Sequence, residues 1–205
     1  MKLVTISDPE GSILVRHARS AIEACVSGRP LPRWSEGFMS VSRGVFVTLN
    51  RVEPIPDRLR GCIGFPFPSK KLGDALIAAA AAAATEDPRF PPVTPSELEA
   101  IVVEVSVLTS PEELNVPRRD LPTHVRIGQD GLIVSRSYES GLLLPQVATE
   151  FRMDEVQFLS EACVKAGLPP DSWLDPLTKV QVFQAEIFAE IDPGGRVVRM
   201  VGNKK

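Results

Sequence analysis

Cysteine is scarce in this chain, with three residues at 25, 62 and 163 and no Cys-x-x-Cys pair. A sparse, odd set argues against a disulfide-stapled scaffold and fits thiols kept reduced in a cytoplasm. Histidine is scarcer still: His17 and His124 stand far apart, and no zinc-ligand spacing is present. One tyrosine and two tryptophans leave few platforms on which single-stranded nucleic acid could stack. Net charge is −3, so the broad positive surface a nucleic-acid binder uses to displace counterions is also missing. The basic pairs Arg118-Arg119, Lys70-Lys71 and Lys204-Lys205 read as solvated surface. No uninterrupted apolar stretch reaches ~18 residues, so no membrane span is expected. The apolar run in "MKLVTISDPEGS" is too short for a secretory signal. A phosphate-cradling loop is absent, because "GCIG" has neither the lysine nor the length. A G-x-S-x-G elbow is absent too, so the hydroxyls of "SRSYESG" do not read as a hydrolase nucleophile. No motif implies a cofactor.

What is present is ordinary for a folded domain: 205 residues, 43% of them apolar and 24% charged, enough to bury a sizeable core. Apolar residues recur at helical spacing over 10–27 (Leu14, Ala18, Ala21, Ile22, Cys25), and Gly28 closes the helix. "GVFVTLN" (44–50) alternates as a strand, and "LRGCIG" (59–64) reads as its returning partner after the "RVEPIPDR" turn. A helix is expected over 69–85, slim because residues 78–84 are all alanine, and Asp87-Pro88 ends it. "TPSE" (94–97) is a capping box opening a short helix. "IVVEVSVL" (101–108) is a strand. Residues 123–137 read as a hairpin turning at Asp130-Gly131. Residues 154–167 form a helix with capping-box spacing at Asp154 and Gln157, an apolar stripe of Val156, Leu159, Cys163 and Ala166, and a closing Gly167. Residues 179–191 alternate as one long strand, with "PGGRVVRM" as a last hairpin arm. Hairpin-length links and few crossover helices give an α+β fold, mainly antiparallel sheet flanked by helices.

The three cysteines differ. Cys25 and Cys163 lie on apolar helix stripes and read as small hydrophobes. In an extended "LRGCIG", Leu59, Gly61 and Ile63 share one face, and Arg60, Cys62 and Gly64 share the other. Arg60 then stands roughly 6–7 Å from Cys62, where a cation favours thiolate. Gly64 clears space on that face, and Gly61 admits a close backbone neighbour. A ligand could approach such a sulfur. The competing reading is a strand buried on both faces, its glycines serving packing against the alanine helix.

"LRGCIG", "DPRFPPV" (87–93), "VEVSVLT" (103–109), "GLLLPQVA" (141–148) and "KAGLPPDSWLD" (165–175), in this order, resemble the AMMECR1 domain family, its archaeal members above all. The resemblance spans about residues 12–190. It implies that 1–205 is a single domain of this type with two unequal lobes and a cleft between them. The larger lobe would hold the N- and C-terminal segments, and the smaller lobe the central residues. "LRGCIG" would lie at or near the cleft. Relatives encoded near, or fused to, a Memo-like protein and a radical-SAM enzyme imply a pathway link. No reaction is implied. Leu59 to Gly64 and Asp87 to Phe90 are the positions that match the family's motifs.

The candidate site is therefore Cys62 as the reactive group, with Arg60, Gly61, Gly64 and Arg89 binding. Arg89 is a second cation, carried on a stiff proline-bounded loop. His124 is a candidate base on the logic of Cys–His pairs, although nothing in the sequence places it near Cys62. Glu104, which interrupts "IVVEVSVL" on the face of Val102 and Ser106, is either solvated or site-facing. Asp87 and Arg89 also have a structural reading, as a cap and its ion-pair partner. Three functions remain open: a small-molecule-binding or cysteine-dependent enzyme, a non-catalytic interaction module, and a nucleic-acid-associated factor. The partner is accordingly an unknown small molecule or protein.

Overall fold

The computed structural model describes residues 6–53 and 58–200. The "RVEPIPDR" turn lies partly outside them, and Lys204-Lys205 wholly so. The fold is α+β with two antiparallel sheets, and the chain divides into two compact units.

The first unit comprises Met1–Leu108 and Glu186–Val201. Helix α1 (Asp8–Val26) begins at a capping box in which Ser7 and Glu10 satisfy each other's backbone N–H groups. That box places its start two residues before the sequence-based boundary. Gly28, at φ +65°, ends it. Strands β1 (Val45–Arg51), β2 (Leu59–Phe65) and β3 (Ile101–Leu108) form the sheet with two later strands. Both β2 and β3 pair antiparallel with β1. Val45, Val47, Leu49, Val103, Val105 and Val107 are fully buried in one core with α1 and with α2 (Leu72–Thr85). The opposite face of these strands carries Phe46, Thr48 and Asn50 on β1, and Val102, Glu104 and Ser106 on β3, as strand alternation requires. The alanine run lets α2 lie so close that a Cβ on Gly61 would sit 2.2 Å from the Ala83 carbonyl oxygen.

Arg19 and Glu190 form a buried ion pair in this unit. Arg19, 8% exposed, binds Glu190, 6% exposed, through Nε at 2.6 Å, and reaches the carbonyls of Leu98 and Ile101. Glu190 also accepts from Val103 N–H. Every polar edge of the pair is used, which makes the burial tolerable.

The second unit comprises Thr109–Ala185. Its sheet contains β4 (Glu112–Glu113), β5 (Gly131–Arg136), β6 (Glu139–Leu143) and β7 (Lys179–Phe183), in the order β4-β7-β5-β6. Helix α3 (Pro145–Glu150) is short. Helix α4 (Glu155–Lys165) starts at the expected Asp154–Gln157 capping box, and Gly167 follows at φ +81°. Its buried stripe is Phe158, Leu159, Ala162 and Cys163, whereas Val156 is exposed.

Two expectations need correction here. The hairpin is β5–β6, closed by Ser137 and Tyr138, with Ser137 at φ +54°; Asp130-Gly131 is not its turn. Asp130 is instead almost fully buried, gripping Arg126 through backbone and guanidinium and accepting from Gln184. Thr123 and His124, expected to open the hairpin, instead close the 3-10 helix Arg118–His124. Nor is 179–191 one strand. It breaks at Gln184 into β7 and β8 (Ala185–Glu190), which belong to different sheets. Alternation continues through such a break, so periodicity alone does not mark it. The expected last arm is β9 (Val197–Met200), antiparallel to β8.

Candidate functional site

Between Leu49 and Asn50 the β1–β2 register slips. Leu49 faces Gly61, but Asn50 faces Leu59. Arg60 is thus the extra residue of a β-bulge, which re-aims a side chain out of strand alternation. The expectation that Arg60 and Cys62 share a face as an interacting pair is corrected on this point. Arg60 is 2% exposed and holds Glu97 through Nε at 2.7 Å and Nη2 at 3.1 Å. Nη2 also donates to the Pro92 carbonyl. Glu97 belongs to the expected capping box, at the start of the 3-10 helix Pro95–Ala100. The Arg60 guanidinium holds its carboxyl down at about 2. Arg60→Met is therefore expected to cost about 1–2 kcal/mol, because Glu97 is 32% exposed and keeps its hydrogen bonds from Thr94, yet to leave the Cys62 pKa unchanged. Denaturant unfolding and thiol titration would separate the two effects.

From Gly61 onward the alternation holds. Gly61 meets α2 and Ile63 packs on the helix-side core, so Cys62 and Gly64 turn to the other face. Gly64 does not clear space for a ligand as expected. A Cβ there would lie 2.3 Å from the Phe46 ring and 2.5 Å from the Val45 carbonyl, so the vacancy is already filled by packing.

The backbone of Cys62 explains the local geometry. Its N–H donates to Asp87 Oδ2 at 2.8 Å and its carbonyl accepts from Arg89 Nη2 at 3.3 Å. Both groups point away from β1, so Cys62 and Thr48 form a non-hydrogen-bonded pair, the kind whose side chains come closest. Thr48 Oγ1 accordingly donates to Cys62 Sγ at 3.2 Å. Thr48 also faces Glu104 on β3, so Cys62, Thr48 and Glu104 form one row across three strands.

Asp87, 5% exposed, anchors the rim. It accepts from Arg89 N, Nε and Nη2 at 3.1, 2.9 and 2.7 Å as well as from Cys62 N. The Arg89 guanidinium, then burial opposed by these backbone donors, leaves its carboxyl far below the usual range. The Arg89 side chain is 53% exposed and lies beside Phe90, whose ring it shares with Arg60 at 5.5 and 6.0 Å. The structural reading of Asp87 and Arg89 as ion-pair partners is what the geometry shows.

Burial pushes the Cys62 thiol up. Thr48 and Arg89 pull it down, Glu104 and Asp87 push it up, and burial prevails. The expected depression by Arg60 is absent, because that guanidinium is spent on Glu97. Burial also pushes the Glu104 carboxyl up. It makes no hydrogen bond or ion pair with any described residue. His124 is exposed in the second unit, its Nδ1 at 3.0 Å from the Asp120 carbonyl. Among the described residues no group of three or more His, Cys, Asp or Glu side chains is placed to hold a metal ion. The sequence reading named Glu104 without fixing its role and passed over Thr48. The signal available was that both sit on the outward alternation of their strands.

The chain belongs to the AMMECR1 family, whose model matches residues 15–188. A protein of Thermococcus gammatolerans is 54% identical over 198 residues, covering 95% of this chain and 97% of that one. A Methanothermobacter thermautotrophicus protein is 54% identical over 194 residues, covering 93% and 99%. The crystal structure of an uncharacterised protein, PH0010, from Pyrococcus horikoshii superposes with a TM-score of 0.82 at 50% identity, covering 95% of this chain and 98% of that one. No helix of the described residues is long and apolar enough to cross a membrane.

Proposed function

We propose that this AMMECR1-family chain is a cysteine-dependent small-molecule enzyme of the cytoplasm, with Cys62 as its reactive group and Arg89 as the cation that receives an anionic part of the ligand. The observation that carries the reading is the Thr48 hydroxyl donating to the Cys62 sulfur at 3.2 Å, on the sheet face turned away from the helices. A hydroxyl aimed at sulfur favours negative charge there, and the clamp of Asp87 on Arg89 fixes a positive charge beside it without side-chain freedom. Three unpaired thiols fit a reducing compartment. Gly61 has a packing role, and Arg60 supports the loop from which Arg89 projects.

The test is a comparison of two alkylating reagents. Iodoacetate is an anion and iodoacetamide is neutral, and both attack through the same thiolate. Their rate ratio therefore reports the local field independently of the thiol pKa. We expect Cys62 to show a several-fold higher iodoacetate/iodoacetamide ratio than the same protein's thiols after unfolding, read by peptide mass mapping, and Arg89→Met to remove the excess. A Cys62 inert to both reagents, or an equal ratio before and after unfolding, would refute the reading and favour a non-catalytic interaction module.

A further inference from the structure

Lys70-Lys71 reads as solvated charge in the sequence, yet the structure seats each ammonium group on an aromatic ring. Lys70 Nζ lies 4.5 Å from the centroid of Phe65, and Lys71 Nζ 5.9 Å from that of Trp34, within reach of a cation–π contact. The rings are themselves fixed. Phe65 ends β2, and Trp34 is wedged so tightly on α2 that a Cβ on Gly73 would sit 2.4 Å from its ring. Trp34 Nε1 also donates to Asp74 Oδ1 at 2.8 Å. The backbone is held as well. Ser42 and Lys71 form an antiparallel bridge, Leu72 N–H donates to the Val41 carbonyl, and Pro66 and Pro68 stiffen the chain between the strand and the lysines. Both lysines are exposed, and neither forms an ion pair with a described residue.

Further features act on the same patch. Helix α2 starts at Lys71 with no side-chain cap, since an ammonium group cannot accept from the first turn. The positive end of the helix therefore adds to the two cations. Asp74, in that first turn, offsets one lysine and leaves the other, with the helix end, unbalanced. Phe67, between the prolines, is 46% exposed, and Val41, beside the bridge, is 45% exposed.

We infer that residues 65–71 form a docking surface for an acidic protein segment, its carboxylates meeting Lys70 and Lys71 and an apolar side chain meeting Phe67. This does not rest on the reading of Cys62. The charge complementarity is local, because the chain as a whole carries −3. Cations laid on rings lose little side-chain freedom when a partner arrives. An exposed aromatic flanked by fixed charge matches the anchor and rim of a protein interface. Single-stranded nucleic acid fits less well: the lysines cover Phe65 and Trp34, leaving Phe67 for stacking, and the net negative charge opposes a uniform polyanion.

The probe is a random-peptide phage library, depleted on Lys70→Glu/Lys71→Glu protein, panned on wild type, and followed by fluorescence anisotropy of the recovered peptides. They should be rich in Asp and Glu with an apolar anchor, and should weaken as NaCl rises. Affinity should fall at least ~10-fold in Lys70→Glu/Lys71→Glu and about 5-fold in Phe67→Ser. Arg118→Glu/Arg119→Glu, an equal charge change in the second unit, should leave it unchanged. No recovered peptide, no acidic enrichment, or an equal loss in the Arg118→Glu/Arg119→Glu control overturns the inference. So does a single-stranded oligonucleotide that binds wild type more tightly than the peptides and displaces them. Should the double lysine variant fail to fold, panning without depletion decides: salt-sensitive binding lost in Phe67→Ser supports the surface, and salt-insensitive binding overturns it.

Discussion

Gly61→Ala should destabilise the first unit by about 3 kcal/mol, the upper end of the usual cost of overpacking. The added Cβ would be 2.2 Å from the Ala83 carbonyl oxygen and 3.2 Å from its carbon. That oxygen is helix backbone, so no rotamer change relieves the clash. Relief requires α2 to move off the sheet, and α2 buries Leu72, Ala75, Leu76, Ala79, Ala80 and Ala83 in the same core as β1 and α1. For a chain of this size, the loss corresponds to a melting-temperature drop of roughly 6–12 °C. Gly37→Ala is the control. Nothing lies within 4 Å of the added atom, and its backbone is not in the left-handed region, so a change within about 0.5 kcal/mol is expected. A Gly61→Ala protein as stable as wild type would mean that helix and strand are not packed as closely as these distances state.

The same glycine shows where sequence reasoning succeeds. Alternation in "LRGCIG" is a local property of extended chain, so from Gly61 to Gly64 it placed each residue on the correct face. It failed at Arg60, because a bulge is decided by the partner strand: nothing within six residues announces that Asn50 will face Leu59. The capping box of Glu97 was legible, yet its second task, holding Arg60, was not, since 37 residues separate them. Asp130 misled for a related reason. Its pairing with glycine imitates a hairpin turn, whereas its carboxylate is engaged by Arg126 and by Gln184, 54 residues away. The row of Cys62, Thr48 and Glu104 is likewise a property of what three strands bring together. Its sequence signal was only that a carboxylate interrupted an otherwise apolar strand. The thiol pKa was misjudged because strand rise gives the separation of two residues but not what else competes for the guanidinium.

Asp87→Ala should be the most damaging change at the site itself. It removes four acceptor contacts, from Cys62 N, Arg89 N, Arg89 Nε and Arg89 Nη2. The Cys62 N–H at the strand edge would lose its partner, at about 1–3 kcal/mol for a buried donor. The ion pair adds less, because the Arg89 side chain is half in water. A total near 3 kcal/mol is expected in denaturant unfolding at pH 7. The pH dependence gives a second readout. The Asp87 pKa in the folded chain lies below its unfolded value of about 3.9. Its contribution is thus fully present above about pH 5 and is lost as pH falls towards the folded pKa. The stability gap between wild type and Asp87→Asn should therefore narrow steadily below pH 4. The chemical consequence is separable from the structural one. With Arg89 released, the iodoacetate preference of Cys62 should fall even under conditions where the variant remains folded. Retention of the preference in a folded Asp87→Asn protein would show that Arg89 is positioned by something other than this carboxylate.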